Sequence, residues 1–436
     1  MRTVKRSRPL LLALVLLVGA AGCDGSGEES DAASPTPSRT PTLSNVSPSP
    51  VPPPTESPPV PSPTISPTSR AIATATFTPS GTTTASATPS PTPTATPSPA
   101  TPPILEELAS TGVGRYLGIE PVESRQNGAW TEFFYDPSAE EAICLRGTRY
   151  QVDVRRGSPE SVLLYLEGGG ACWNFLTCWQ TPLAKAEAGS ALESGILRAD
   201  DPRNPFRDWS VVYVPYCDGS VFAGVRTVDY QGNRTYHHGL QNLSAAVTRM
   251  RAEFPDASSI VVAGSSAGGF GTFTAYGVVR VAYPEAKILV FNDSGPGFQN
   301  PADVEAARER AENWGFGPFV PESCERCQEQ FSYLADWALD RDPSLRSALF
   351  NYLQDSVLRF FLAIDAGGFE SLLRSISGEI HDRHPDRFKR FLKAGSAHTV
   401  LLSPAFYELE IEGITVAEWT ADFLVDGPKW VDLVDP

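Results

Sequence analysis

The chain has 436 residues, with 35 Lys and Arg against 51 Asp and Glu and a formal net charge of −16. A surface this acidic repels polyphosphates, so nucleic acid is excluded as an expected partner. The length from residue 104 onward suits one large α/β domain with insertions.

The chain opens with Arg2, Lys5, Arg6 and Arg8, followed by an uncharged run from Pro9 to Gly22. The apolar core is too short to span a bilayer, so residues 1–22 read as an export signal. Cys23 directly follows Ala20-Ala21-Gly22, which resembles the lipobox of bacterial lipoproteins, with Ala20 where Leu or Val is usual. Cys23 is therefore a lipidation candidate, its acyl chains being the expected membrane attachment; simple cleavage is the alternative. Residues 23–103 then form a linker. Between Asp24 and Pro103 fall 21 of the chain's 40 prolines, among Ser, Thr and Ala. Such a stretch cannot build a core and acts as an extended, solvated spacer, open to glycosylation.

Within 104–436, Val162–Leu166, Val211–Val214, Ile260–Val262 and Ile288–Phe291 are short, continuous and β-rich. Helical stretches such as Gln241 to Glu253 lie between them, which predicts an α/β fold with a buried, mostly parallel sheet and ligands at the strands' carboxyl ends. Besides Cys23 there are six cysteines, an even count that reads as disulfides in an exported chain. Cys172 with Cys178 and Cys324 with Cys327 close short loops, leaving Cys144 with Cys217. A redox pair or half a zinc site competes for Cys324 and Cys327, but no second ligand pair follows at metal-site spacing.

The apolar run from Ile260 feeds Gly264-Ser265-Ser266-Ala267-Gly268. Glycines two before and two after a serine permit a sharp strand-to-helix elbow that lifts its hydroxyl above a helix N-terminus, where the Ala267 amide can face an oxyanion. Ser266 is the candidate nucleophile; an ordinary strand-to-helix turn is the competing reading. After the first strand, Glu167-Gly168-Gly169-Gly170 places close-approaching amides where a second oxyanion donor belongs. A tight steric turn is its alternative, and a phosphate loop lacks the following Gly-Lys-Ser/Thr.

Five segments, Ala142–Gly147, Leu164–Gly170, Pro215–Ser220, Gly264–Gly269 and Asn292–Gly295, occur in the order found in the pectin acetylesterase and Notum carboxylesterase family. From about Glu123 onward the chain is similar to that family, which implies an α/β-hydrolase-like fold: a mostly parallel central sheet flanked by helices, with helical insertions. The resemblance implies Ser266 as nucleophile, Gly169, Gly170 and Ala267 as oxyanion donors, and a Cys144–Cys217 bridge. Ala171 stands where the family tends to carry Trp, with Trp173 beyond, so part of the pocket wall differs.

Of the five histidines, His237 and His238 precede Ser266, whereas the base follows the nucleophile in this fold. His381 and His384 lie in a charged run read as solvated surface, and His398 sits in a small, neutral loop matching the family's late histidine. His398 is the candidate base. For the acid, spacing favours neither Asp293 nor Asp355; the resemblance favours Asp355, with Asp293 holding its turn through its backbone and Asp218 forming an Asx-type turn or a pocket contact. The expectation is a monomeric, exported serine carboxylesterase, secreted or lipid-anchored, using no metal or organic cofactor. The resemblance implies an acyl ester as substrate, acetyl above all, on a glycan or an acylated protein. A binding module that has lost turnover, or a lipase, would carry the same motifs. The Arg359-Phe360-Phe361-Leu362 run lines a pocket or packs a helix.

Overall fold

In the computed structural model, which describes residues 103–436, the four apolar runs lie side by side at the centre of one sheet. The signal segment, Cys23 and the linker up to residue 102 lie outside the described residues. Three antiparallel strands come first: β1 (Glu123–Asn127), β2 (Trp130–Phe134) and β3 (Gln151–Arg155). Then come β4 (Ser158–Leu166), β5 (Trp209–Val214), a separate hairpin of β6 (Arg226–Tyr230) and β7 (Asn233–His237), β8 (Ser259–Ser265), β9 (Lys287–Asp293), β10 (Arg346–Tyr352) and β11 (Phe388–Lys393). A short hairpin of β12 (Glu410–Ile411) and β13 (Ile414–Thr415) precedes β14 (Leu433–Val434). The ten-stranded sheet runs β1-β2-β3-β5-β4-β8-β9-β10-β11-β14, parallel from β5 onward.

The continuous apolar runs follow from burial on both sheet faces. On one face Val162, Leu164, Leu166, Ile260, Val262 and Ile288 pack against α1 (Pro103–Thr111), α2 (Gly239–Glu253) and α3 (Ala267–Ala282). Further along the chain come α4 (Val304–Trp314), α5 (Tyr333–Arg341), α6 (Ser356–Leu362) and α7 (Ala366–Arg383), of which α5 and α7 join this face. On the other face Leu163, Tyr165, Val261 and Phe291 pack against Phe406 of α8 (Ala405–Glu408) and Trp419 and Phe423 of α9 (Val416–Val425). Each such side chain contributes about 1.5–3 kcal/mol on burial. The architecture is a mostly parallel sheet covered by helices, an α/β-hydrolase-like fold.

Three disulfides are formed: Cys144–Cys217, Cys172–Cys178 and Cys324–Cys327. In the charged run at 381–387, Asp382, Arg383, Pro385 and Asp386 are exposed as expected, but His384 departs from that solvation. His384 is buried, with Nε2 2.9 Å from Asp336 Oδ1 of α5, and Arg387 donates to the carbonyls of Leu339 and Asp342. These partners arrive from a segment far away in sequence, so local polarity alone points the wrong way. No helix among the described residues is long and apolar enough to cross a membrane.

Candidate active site

At the carboxyl end of β8 the chain turns directly into α3, and Ser266 occupies the turn with φ 58° and ψ −119°. Few L-residues adopt this conformation, and it is held in place by close backbone packing. A Cβ on Gly264 would lie 2.3 Å from the Gly268 carbonyl oxygen, and one on Gly268 would lie 2.1 Å from that of Leu166. A larger residue at 264 would therefore push β8 off the first turn of α3, and one at 268 would push that turn off the end of β4. Ser266 donates its amide to the Asp293 carbonyl at 2.8 Å. Its side chain is partly exposed at the N-terminus of the sixteen-residue α3.

His398 follows β11 on a loop. Its Nδ1 lies 2.6 Å from Asp355 Oδ2, and Asp355 is fully buried. A carboxylate partner fixes the proton on Nδ1, leaving Nε2 as the acceptor. Nε2 is buried without a hydrogen-bond partner among the described residues, so it makes no bond to Ser266 in this structure; such contacts are often long in unliganded sites. Asp355 also caps α6, its Oδ1 accepting from Val357 and Leu358 at 3.0 Å each.

Asp293 does more than hold a turn through its backbone. Its carboxylate accepts the Ser265 hydroxyl at 2.6 Å and the amides of Val400 and Leu401 at 3.0 Å, the two residues after Thr399. Burial raises its pKa above the usual carboxylate value, opposed by those donors. It makes no hydrogen bond to the His398 ring among the described residues. Asp218 does form an Asx-type turn, with Oδ1 accepting from the Ser220 amide at 2.7 Å, and burial pushes its pKa up to about 6.

After β4, Gly170 takes φ +78°, where a Cβ would lie 1.9 Å from the Leu183 carbonyl oxygen. The amides of Gly169, Gly170 and Ala267 take no hydrogen bond among the described residues. Gly170, Ala267 and Ser266 face one cavity of about 100 Å3, walled by Trp173, Phe270, Phe298, Trp314, Phe331, Phe361 and Leu362; Gly169 stands outside that wall. Phe361 and Leu362 are thus pocket residues, while Phe360 is 65% exposed. Trp173 takes part in the wall although Ala171 follows the glycines. Arg310 also lines the cavity, and the sequence carries no signal for it. His237 and His238 do not line this cavity: their Nδ1 atoms bond to the Asp218 and Glu141 carbonyls, respectively.

Asp336, Asp340 and His384 bring ligand-type atoms within 4.8 Å of one another. Arg383 pairs with both carboxylates, which accounts for the cluster as an ion-pair network.

A parallel sheet, a strained serine at a strand-to-helix elbow and a late-loop histidine paired with a carboxylate together make an α/β-hydrolase-like arrangement. Residues 124–323 match the family model described as Pectinacetylesterase. The matched range includes Ser266, the glycine triplet and Ala267, and ends before Asp355 and His398. Pectin acetylesterase 5 of Arabidopsis thaliana is 29% identical over 174 residues, 37% of this chain and 41% of that protein. The palmitoleoyl-protein carboxylesterase NOTUM of Homo sapiens is 23% identical over 310 residues, 61% of this chain and 60% of that protein. NOTUM of Schmidtea mediterranea is 33% identical over 119 residues, 25% of this chain. The chain thus spans about two fifths of the plant relatives it matches and three fifths of the human one.

Proposed function

We propose that the chain is a serine carboxylesterase. Ser266 Oγ attacks the ester carbonyl while His398 Nε2 takes its proton, and Asp355 holds the Nδ1–H and stabilises the imidazolium. The amides of Gly170 and Ala267, which line the cavity, receive the oxyanion, with Gly169 shaping the turn before them. His398 then protonates the departing alcohol, and water activated by the same imidazole releases the acid from Ser266. The observation that carries this reading is the 2.6 Å His398–Asp355 contact beside a buried, unpartnered Nε2. An imidazole so oriented is preset to accept a proton.

The named activities of the relatives, pectin acetylesterase and palmitoleoyl-protein carboxylesterase, share ester hydrolysis and differ in acyl length. A cavity of about 100 Å3 is smaller than the roughly 150 Å3 site that admits benzene in an engineered protein. This favours a short acyl group such as acetyl, with the alcohol, a glycan or a protein, on the open side. A p-nitrophenyl ester series from acetate to decanoate tests both points. A Ser266-dependent burst that declines with chain length supports the reading; no burst, or equal release by Ser266→Ala, sinks it. The N-terminal reading completes the proposal: export, with Cys23 as lipid attachment. Membrane fractionation of wild type and Cys23→Ser distinguishes anchoring from release.

A further inference from the structure

The described residues are crowded with cations in pairs. Each of their lysines and arginines except one has a hydrogen-bond or ion-pair partner among the described residues, even where that partner is only a carbonyl, as for Arg115, Arg226 and Arg359. The exception is Arg310 of α4. It is half-buried, it lines the cavity that holds Ser266, and its guanidinium carbon lies 5.2 Å from the centroid of the Trp173 ring. In a chain of net charge −16, acidic partners abound, so an unmatched arginine at the mouth of the site calls for a cause.

Two carboxylates face it without pairing. Asp303 is engaged in capping α4 through the Ala306 amide at 3.2 Å, and Glu309 accepts from Asn174 Nδ2 at 3.3 Å. Burial holds the Arg310 pKa below the usual arginine value although both carboxylates act to raise it. A partly desolvated guanidinium is unfavourable unless something completes it. Stacking on an indole face leaves the N–H edge of its plane available, and that fork matches a carboxylate bidentately. Arg310 also lines an outer depression with Thr177 and Asn300, which shares Trp173, Phe361 and Leu362 with the inner cavity. It therefore stands on the wall common to both depressions, one of which holds Ser266.

We propose that Arg310 is a specificity-determining residue that binds a carboxylate on the ester substrate. The inference rests on the esterase reading of Ser266. It makes the preferred substrate an ester that is anionic close to the scissile bond, on either the acyl or the alcohol part.

Two substrate pairs distinguish these sources in the full-length protein. 4-Acetoxybenzoate against 4-acetoxybenzamide places the charge on the alcohol; p-nitrophenyl hemisuccinate against p-nitrophenyl butyrate places it on the acyl group. The wild type should favour the anionic member of one pair, mainly through KM. Arg310→Gln should cut that kcat/KM ratio by about tenfold or more, Arg310→Lys by less, and Arg310→Glu should invert it. Salt should weaken the preference. A ratio unchanged by Arg310→Gln in both pairs overturns the proposal. Benzoate against benzamide binding to Ser266→Ala protein, read by calorimetry, separates the two readings. Arg310-dependent benzoate binding without any turnover would keep the carboxylate site and remove the esterase. Ser266-dependent turnover, with benzoate binding and both ratios indifferent to Arg310→Gln, would do the reverse.

Discussion

Ser266 donates its backbone N–H to the carbonyl of Asp293 at 2.8 Å, and the carboxylate of that same aspartate takes the amides of Val400 and Leu401 at 3.0 Å. One buried residue at the end of β9 therefore ties the elbow to the loop that carries His398. No covalent bridge does this: the three disulfides lie elsewhere, two near the glycine triplet and Asp218, and one between α4 and α5. The distance between Ser266 and His398 thus depends on hydrogen bonds in the sheet's interior, where the local dielectric makes them strong when satisfied and costly when broken.

The first prediction concerns the backbone of the elbow. At φ 58° and ψ −119°, a non-glycine residue carries strain of about 1–3 kcal/mol, which glycine avoids at the cost of greater chain entropy when unfolded. Ser266→Gly should therefore unfold at higher urea, by about 1 kcal/mol, while losing turnover. Ser266→Ala, equally strained, should lose turnover at nearly unchanged stability. A destabilised Ser266→Gly would show that the elbow stores no strain.

The disulfides should differ in weight. Cys144–Cys217 spans 73 positions and Cys172–Cys178 only 6. Chain-entropy reasoning gives about 4 kcal/mol for the first and about 2 for the second. The short bridge, however, lies just beyond Gly170, and the backbone of Cys172 is bonded to Gly219 and Trp314. Cys172→Ser with Cys178→Ser should thus lower turnover more than stability, whereas Cys144→Ser with Cys217→Ser should do the opposite. Denaturant midpoints and turnover numbers for the two double variants check the order.

What the sequence made legible follows from how each segment is buried. β4, β5, β8 and β9 are central strands apolar on both faces, so their runs are unbroken and easy to read. β10 and β11 were missed because Arg346, Ser347, Lys389 and Arg390 interrupt them; Arg346 still reaches burial because it pairs with Asp426 and donates to the Leu424 carbonyl. Spacing left Asp293 and Asp355 undecided, since the hydrogen bonds that distinguish them join segments 43 and about 107 positions apart. The buried state of His384 and the lone state of Arg310 were hidden for the same reason: a partner, or the lack of one, is a tertiary property.

Opposed pH dependences should appear in one cluster. Burial pushes the His237 pKa down to about 4 and that of Asp218 up to about 6, and the two residues touch through the His237 Nδ1 bond to the Asp218 carbonyl. The neutral imidazole is the folded form, so its contribution, of order 3 kcal/mol, is present above pH ~6.5 and lost as pH falls toward 4. Asp218 prefers to be protonated when folded; its contribution is present below pH ~3.8 and lost as pH rises through 6. Melting temperatures from pH 4 to 7, each subtracted from wild type, should therefore slope in opposite directions for His237→Gln and Asp218→Asn. Parallel difference curves would refute the assignment.

The two aspartates beside His398 give the sharpest test. Asp355 uses Oδ2 for the imidazole and Oδ1 for the first turn of α6. An asparagine there can keep the capping oxygen, so the fold should persist, but its amide nitrogen would face His398 Nδ1 and favour the wrong tautomer. Turnover should fall by about three to four orders of magnitude with KM little changed. Asp293→Asn differs, because Oδ2 accepts the Ser265 hydroxyl and the amides of Val400 and Leu401 while Oδ1 also accepts from Val400 at 3.1 Å, so an asparagine turns an NH2 either toward all three donors or against the Val400 N–H. Leaving one of these buried donors unpaired should cost about 1–3 kcal/mol, with activity falling as the His398 loop loosens. Asp355→Ala, which also removes the cap, should add about 0.5–2 kcal/mol of instability to the catalytic loss. Urea midpoints and turnover numbers for the three variants decide the matter. A stable, inactive Asp293→Asn beside an active Asp355→Asn would reverse the roles assigned to the two carboxylates.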